Sequence, residues 1–189
     1  MTERRDLPLF VWSDALRASR HRRARLRRRL SVVAAGIASL GATIVAPPLP
    51  RLVWNASASA PIGLYGVTPG ARLQRGDMVI AWAPAGPRAL AAQRHYLPGN
   101  VPLVKRVAAV PGERVCAIGS GIFVGGRLVA ERQARDSLGR LLPRWRGCVT
   151  LKNGALFLLM DAPASFDGRY FGTTSARDVI GKATPLWVG

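Results

Sequence analysis

Hydrophobic and polar residues follow two different patterns along this chain. Residues 30–50, LSVVAAGIASLGATIVAPPLP, contain no charged side chain, whereas from Arg51 onward the apolar runs are short and are separated by Gly, Pro and Asn. A long uninterrupted apolar run is typical of a membrane-spanning helix, and short runs bounded by turn residues are typical of β-strands. The pattern therefore predicts a helical membrane anchor followed by a mainly β domain.

The apolar run is suited to a transmembrane helix in both length and composition. Taken over 30–46, the helix would be about 26 Å long at roughly 1.5 Å per residue, against a hydrocarbon core of about 30 Å. Its few polar side chains form no stripe, which argues against a buried core helix. A cleaved signal peptide is the other alternative, but Pro47 and Pro48 disfavour cleavage there. We expect an uncleaved signal anchor over 30–50.

Positive charge is concentrated before the apolar run. Residues 1–29 hold ten arginines and three acidic residues, a net charge of +7 out of +18 for the whole chain. Because basic flanks are retained in the cytoplasm, we expect 1–29 to be cytoplasmic and to contact anionic lipid, with 51–189 outside. The segment RHRRARLRRR would also suit nucleic acid. Because this basic segment directly precedes an apolar run, we expect that it determines the membrane topology and that it has no nucleic-acid partner.

Seven stretches of the outer segment have the character of strands, being short, rich in Val, Ile, Leu or aromatic residues, and bounded by turn residues. In one of them IFV and LVA flank GGR, which predicts a tight hairpin. Helical periodicity is suggested only around 87–93. The fold class predicted is mainly β on an N-terminal transmembrane helix. The seven stretches are 76–82, 101–110, 113–118, 121–129, 148–151, 155–160 and 179–188.

Both cysteines, Cys116 and Cys148, fall in the outer segment. In a reducing compartment they would be two buried thiols, whereas outside the membrane they can form a disulfide. Given the expected topology we favour a bridge, which would close a loop of about 32 residues and stabilise the domain by a few kcal/mol. The only histidines, His21 and His95, have no ligand spacing with the cysteines, so we expect no metal and no cofactor.

Lysine is rare in this chain, with Lys105, Lys152 and Lys182 set against twenty-five arginines. Arginine stays protonated in proteins, but a buried lysine can lose its proton near neutral pH and act as a base. Lys105 lies within VPLVKRVAAV, which predicts a buried strand with Arg106 on the opposite, solvated face. The alternative is that Lys105 reaches water from an edge strand. A serine hydrolase using histidine would have to rely on His95.

Four sequence boxes follow one another: NASASAPIGLY, RGDMVIAW, LVKRVAAVPGE and DAPASFDGRYFG. In this order, behind an N-terminal anchor, they resemble the boxes of the type I signal peptidase family, which uses a Ser-Lys dyad. The form SAPIGLY and the stretch DSLGRLLPRWRGCVTLKNG resemble the conjugative-transfer branch of that family, the TraF-type maturation peptidases. The resemblance covers about Asn55 to Lys182, which is most of the outer segment.

The resemblance implies roles for individual residues. Ser59 matches the nucleophile and Lys105 the general base. Ser57 matches the position whose hydroxyl joins the Ser59 backbone N–H in the oxyanion hole, and we expect the S-x-S spacing to place both on one side of an extended segment. Pro61 and Gly63 would fix the turn that presents Ser59. In the last box a serine would orient the lysine and an Asp-Arg pair would support the site. These supporting residues correspond to Ser165, Asp167 and Arg169.

The function implied is a membrane-anchored serine endopeptidase that processes signal peptides or conjugative pilin precursors. It would sit in the bacterial inner membrane as a single-pass protein with a periplasmic catalytic domain, and its partner would be a membrane-bound preprotein or pilin precursor. Water or the substrate's own N-terminal amine would resolve the acyl-enzyme, so hydrolysis and cyclisation both remain open. We also expect apolar residues of 78–82 to rest on the bilayer.

Two other classes of protein remain as alternatives. A DNA-binding regulator with a self-cleaving Ser-Lys domain would lack the membrane segment and would carry a recognition helix, which the sequence does not suggest. A catalytically silent, membrane-tethered component of a conjugation or secretion apparatus would keep the anchor and the β domain but lose Ser59 or Lys105. Both residues are present, which favours the enzyme.

Overall fold

The computed structural model describes residues 8–46 and 49–189, with the side chains of the first helix described from Ser19 onward. The chain divides into two compact units, Met1–Pro48 and Leu49–Gly189. Among the described residues, the first unit contains one helix and the second contains all of the strands.

The helix of the first unit, α1, runs without interruption over Pro8–Val45. Its part Ser19–Val45, 27 residues, is unburied and is long and apolar enough to cross a membrane, a test that a signal sequence would also pass. The helix expected over 30–46 is therefore the end of a longer one that includes basic residues. Arginine is a good helix former, and neither Gly nor Pro interrupts residues 9–29. Pro47 and Pro48 lie outside the described residues.

The second unit contains ten strands and short helical segments. The strands are β1 Leu52–Asn55, β2 Gly63–Thr68, β3 Met78–Ala81, β4 Leu103–Ala109, β5 Arg114–Ile118, β6 Gly121–Val124, β7 Arg127–Glu131, β8 Gly147–Thr150, β9 Phe157–Leu159 and β10 Val179–Val188. The helical segments are α2 Ala85–Gln93, α3 Gly168–Phe171 and a 3₁₀ turn over Ala176–Asp178.

A six-stranded antiparallel sheet, in the order β1-β2-β10-β3-β4-β9, forms the larger part of this unit. Both of its faces are covered: Ile80 and Val104 belong to one apolar cluster, and Val79 and Val107 belong to another. Lys105 lies directly opposite Val79 in the register of β3 and β4. Since β4 pairs on both sides, Lys105 is not on an edge strand, which excludes that alternative.

A four-stranded antiparallel sheet, in the order β7-β6-β5-β8, makes the second layer of strands. The predicted hairpin joins β6 to β7, and its turn residues Gly125 and Gly126 have φ of +56° and +81°, the left-handed pair that a two-residue turn requires. Cys116 and Cys148 face each other across β5 and β8 and are joined as a disulfide. The bridge therefore ties the edge strand β8 to the interior of its own sheet.

Each of the seven strand-like stretches contains a strand, and α2 ends at Gln93 as its periodicity suggested. The strands β1 and β2 were not predicted. The expected bilayer surface at 78–82 was wrong, because β3 lies between β10 and β4 and the residues Val79, Ile80 and Ala81 are each 0% exposed. Exposed apolar side chains of this sheet occur on β1 and on the C-terminal end of β10 instead. They are Leu52, Trp54, Leu186, Trp187 and Val188.

Candidate active site

Two of the predicted site residues, Ser57 and Ser59, lie in the loop between β1 and β2. Ala58 and Ser59 lie in a turn that is closed when Ala60 N donates to the Ser57 carbonyl at 3.4 Å. The hydroxyls of Ser57 and Ser59 are 3.0 Å apart, and Ser59 N donates to Ser57 Oγ at 3.4 Å. The prediction of an extended segment was wrong. The turn, rather than the alternation of a strand, brings the two hydroxyls together.

The downstream end of this turn is fixed onto β2. The hydroxyl of Tyr65, a buried residue, donates to the Pro61 carbonyl at 2.8 Å. Gly63 has φ of +150°, and a Cβ at this position would lie 2.1 Å from the carbonyl oxygen of Trp187 on β10. Only glycine permits this approach of β2 to β10. The position of the Ser59 turn therefore depends on both the tyrosine and the glycine.

Lys105 reaches the same place from the core of the six-stranded sheet. Its side chain shares a face of β4 with Leu103 and Val107, and the residue is 3% exposed, whereas Arg106 on the other face is exposed. Its Nζ lies 2.9 Å from Ser59 Oγ and 2.7 Å from Ser165 Oγ. Both hydroxyls are therefore within hydrogen-bond distance of one buried amine.

The surroundings of Lys105 lower the pKa of its amine. Burial is the largest cause and brings the pKa down from 10.5 to about 8, while the Asp167 carboxylate raises it and the Arg169 guanidinium lowers it. With a pKa of about 8, about a tenth of the amine is neutral at pH 7. A neutral amine within hydrogen-bond distance of a serine hydroxyl is a suitable acceptor for its proton.

Asp167 and Arg169 form a buried ion pair behind this lysine. They are 0% and 2% exposed, and Arg169 Nε donates to Asp167 Oδ1 at 2.8 Å. Asp167 Oδ2 also accepts from Met160 N at 3.0 Å, and Arg169 donates to the carbonyls of Met160 and Pro163. Because the guanidinium balances the carboxylate, Asp167 does not act on the amine as an isolated negative charge. The pair also connects β9 to the start of α3.

Ser165 lies in the loop held by this ion pair. It is buried, and its N–H donates to the Ala162 carbonyl at 3.0 Å. The next residue, Phe166, packs in an aromatic cluster with ring centroids 5.3 Å from Tyr96, 5.9 Å from Tyr170 and 5.6 Å from Phe171. The loop is thus fixed on both sides of Ser165, which sets the position of the hydroxyl that contacts Lys105.

Ser57, Ser59, Lys105 and Ser165 all line a cleft of about 1100 Å³. Part of its wall is the loop after β7, where Asp136 Oδ2 accepts hydrogen bonds from the Tyr96 hydroxyl and from Arg140 Nε. His95 is exposed and is not among the residues that line the cleft. The structure thus brings together the six site residues that were predicted and leaves the histidine outside.

Two residues that hold the Ser59 turn were not predicted. Asn55 makes hydrogen bonds to the backbone of Ser57, Ala60 and Pro61, and Tyr65 donates to the Pro61 carbonyl. They are the first and last residues of the box NASASAPIGLY. Their position at the two ends of a box was a usable signal, because a short loop presenting a serine needs polar groups to satisfy its backbone.

Comparison with known proteins agrees with this geometry. The family model described as signal peptidase, peptidase S26, matches residues 25–188. The chain belongs to this family, which confirms the resemblance seen in the sequence boxes, and the membership supports a serine peptidase. Plasmid transfer protein TraF of Escherichia coli is 32% identical in an alignment over 143 residues, and the match covers 70% of this chain and 80% of that protein.

Two further matches are a second transfer protein and a solved structure. Conjugal transfer protein TraF of Agrobacterium fabrum (strain C58 / ATCC 33970) is 34% identical in an alignment over 143 residues, and the match again covers 70% of this chain and 80% of that protein. A solved signal peptidase I from Enterococcus faecalis V583 matches with a TM-score of 0.37 and 22% identity, over 60% of this chain and 98% of that chain. The structural likeness is remote, and the family assignment rests on the sequence matches.

Replacing Lys105 with Met is expected to stabilise the protein. Folding lowers the pKa of Lys105 from 10.5 to about 8, so below pH 8 folding must desolvate a protonated amine. At about 1.4 kcal/mol per pKa unit, the penalty is as much as about 3 kcal/mol. This penalty applies in full at pH values below the pKa of Lys105 in the folded state, and it disappears as the pH rises above the pKa in the unfolded state. Urea unfolding should therefore give a higher free energy of unfolding for Lys105→Met at pH 7, with a difference that shrinks between pH 8 and 10.5.

The matched control is Lys152→Met, because Lys152 is exposed and its replacement should leave the free energy of unfolding nearly unchanged. A difference between Lys105→Met and the wild type that stayed constant from pH 7 to pH 10.5 would contradict a desolvated amine.

Proposed function

We propose that this protein is a membrane-anchored serine endopeptidase in which Ser59 is the nucleophile and Lys105 the general base. The observation that carries the proposal is the amine of Lys105, 3% exposed and 2.9 Å from Ser59 Oγ at the wall of a cleft. A general base needs hydrogen-bond reach and a pKa near the working pH. Membership of the S26 family supports a peptide bond as the bond that is attacked.

The first half of the reaction would acylate Ser59. Neutral Lys105 accepts the proton of Ser59 Oγ as the oxygen bonds to the carbonyl carbon of the substrate. The Ser59 N–H, which donates to Ser57 Oγ before substrate is bound, and the Ser57 hydroxyl then both donate to the oxyanion. The intermediate collapses as the C–N bond breaks, and the Lys105 ammonium returns its proton to the leaving amine. An acyl ester on Ser59 remains.

The second half would release the acyl group by the same route. Lys105 accepts a proton from an attacking water or amine, and Ser59 Oγ leaves and takes the proton back. Water gives a linear acid, and the N-terminal amine of the same substrate gives a cyclic peptide. We propose a membrane-bound signal peptide or pilin precursor as the substrate. Relatives named plasmid or conjugal transfer protein support a precursor used in DNA transfer.

The supporting residues have separate proposed tasks. Ser165, 2.7 Å from Lys105 Nζ, orients the amine toward Ser59. The ion pair of Asp167 and Arg169 fixes the Ser165 loop and keeps a balanced charge near the amine. In this arrangement burial has the largest effect on the pKa of Lys105. Replacing one member of the ion pair would leave the charge of the other unbalanced, and that charge would alter the pKa.

We also propose that α1 crosses the inner membrane with its basic end in the cytoplasm and the β domain in the periplasm. The supporting observations are the unburied helix Ser19–Val45, whose residues 30–45 carry no charge, and the concentration of arginine in residues 1–29. The basic end would then contact anionic lipid of the cytoplasmic leaflet.

Ser59→Ala and Lys105→Ala should each abolish processing of a co-expressed pilin precursor, because one removes the nucleophile and the other removes the base. Mass spectrometry of the precursor and product measures this directly. A product one water lighter than the linear form would identify cyclisation. Lys152→Ala and Ser120→Ala, which alter exposed residues, should process normally.

Normal processing by folded Lys105→Ala would contradict the Ser-Lys dyad. The alternative of a catalytically silent component of a transfer or secretion apparatus predicts something different. In that case the wild type would leave the precursor intact and would not be modified by a serine-directed acylating probe.

The proposed topology predicts that Cys116 and Cys148 are oxidised in cells, because disulfides form outside the cytoplasm. Cells expressing the full chain are lysed in an alkylating reagent, and the protein should take up no label until it is reduced. A chain starting at Leu49, which is retained in the cytoplasm, should be labelled at both cysteines without reduction. Labelling of the unreduced full chain would contradict the periplasmic placement of the β domain.

A further inference from the structure

Asn55 occupies an unusual position at the end of β1. It is 5% exposed, and its carboxamide makes all of its described hydrogen bonds to the backbone of the loop that follows. Oδ1 accepts from Ser57 N at 3.1 Å, and Nδ2 donates to the carbonyls of Ser57 at 3.0 Å, Ala60 at 3.1 Å and Pro61 at 2.9 Å. One side chain therefore satisfies backbone groups on both sides of Ser59.

The loop has little other hydrogen bonding to define its shape. Within residues 56–61 the described backbone bond is the one from Ala60 N to the Ser57 carbonyl, which is long at 3.4 Å. Pro61 has no N–H to contribute. The Tyr65 hydroxyl fixes only the Pro61 end of the loop. The carboxamide of Asn55 is the group that holds the Ser57 end and the Pro61 end at a fixed separation.

This separation determines the geometry of the two donors proposed for the oxyanion, the Ser57 hydroxyl and the Ser59 N–H. Ser57 N and the Ser57 carbonyl are both bound by Asn55, so the orientation of the Ser57 side chain follows from that contact. The carbonyls of Ala60 and Pro61, bound from the other side, fix the plane of the peptides that follow Ser59. A loop fixed in this way keeps both donors beside the place where charge develops, so that only hydrogen bonds within the turn, such as the long one from Ser59 N to Ser57 Oγ at 3.4 Å, are given up in the reaction.

We propose that Asn55 is a positioning residue for the oxyanion hole, which acts through the Ser57 hydroxyl and the Ser59 N–H. The inference rests on the proposed function, because it assigns Asn55 a part in that reaction. Asn55 makes no described hydrogen bond to Lys105 or Ser165, so its effect is separate from that of the residues that set the pKa of the base.

The test compares Asn55→Ala and Asn55→Asp with the wild type. Asn55→Asp keeps the size of the side chain and the acceptor for Ser57 N, but it turns a carboxylate oxygen toward three carbonyls. If Asn55→Ala does not fold, the measurements are made on Asn55→Asp. Asn100→Ala and Asn100→Asp are matched controls, since Asn100 is exposed and does not line the cleft. Hydrolysis of acetyl-Ala-Ala p-nitrophenyl ester, corrected for the rate of Ser59→Ala, gives kcat and KM.

Loss of a preorganised donor lowers kcat by about 10²-fold to 10³-fold. We expect a fall of this size for both Asn55 variants, with KM and the pH midpoint of the rate unchanged. Combined with Ser57→Ala, the losses should be less than additive, because both changes act on the same donors. A kcat close to that of wild type, a rise in KM alone, a shifted pH midpoint or full additivity would each overturn the inference.

Hydrogen exchange gives a readout that does not depend on activity. In Asn55→Ala, the amides of residues 56–62 should exchange faster while those of β4 and β9 keep their protection. If the wild type and Ser59→Ala hydrolyse the ester at the same rate, the proposed function fails. The exchange pattern alone then tests whether Asn55 positions this loop. Unchanged protection of residues 56–62 would overturn the positioning role in either case.

Discussion

The site depends on the burial of one amine. Lys105 occupies a core position of the six-stranded sheet, opposite Val79 and on the same face as Val107, where an apolar side chain would otherwise be expected. Burial there brings the pKa of Lys105 to about 8, which supplies a proton acceptor in a chain whose one histidine outside α1 is exposed. A strained or costly core position is a common sign of function, because packing alone would favour a hydrophobic residue.

Three segments distant in sequence meet around this amine: the turn after β1, the strand β4 and the loop after β9. Each is held by its own buried polar groups. Asn55 and Tyr65 hold the turn, and the Asp167-Arg169 pair holds the loop. Among the described residues, no buried side-chain nitrogen or oxygen lacks a hydrogen-bond partner. The sheet can therefore hold these polar groups in its interior without the desolvation penalty of unpaired ones.

The sequence predicted most of this arrangement and missed parts that depend on distant contacts. Local apolar runs identified the strands from β3 onward, and the resemblance of the boxes identified the dyad. The strands β1 and β2 were missed because the pairing of β1 with β2, and of β2 with β10, leaves no local pattern. Composition made 78–82 resemble a lipid-facing surface, and only the fold shows that apolar clusters cover both faces of β3. Asn55 resembled an ordinary loop residue, because its hydrogen bonds become visible only in the folded turn.

The pKa of Lys105 is the most direct test of the central claim, and the composition makes it measurable. The chain has only three lysines, so labelling lysine with ¹³C at Cε gives few signals, and the signal absent from Lys105→Met is that of Lys105. Titration followed by NMR should give this signal a midpoint of about 8, and Ser59→Ala should keep it well below the ordinary value. A midpoint at the ordinary value of 10.5 would mean that the amine is hydrated and protonated, and Lys105 would not be the base.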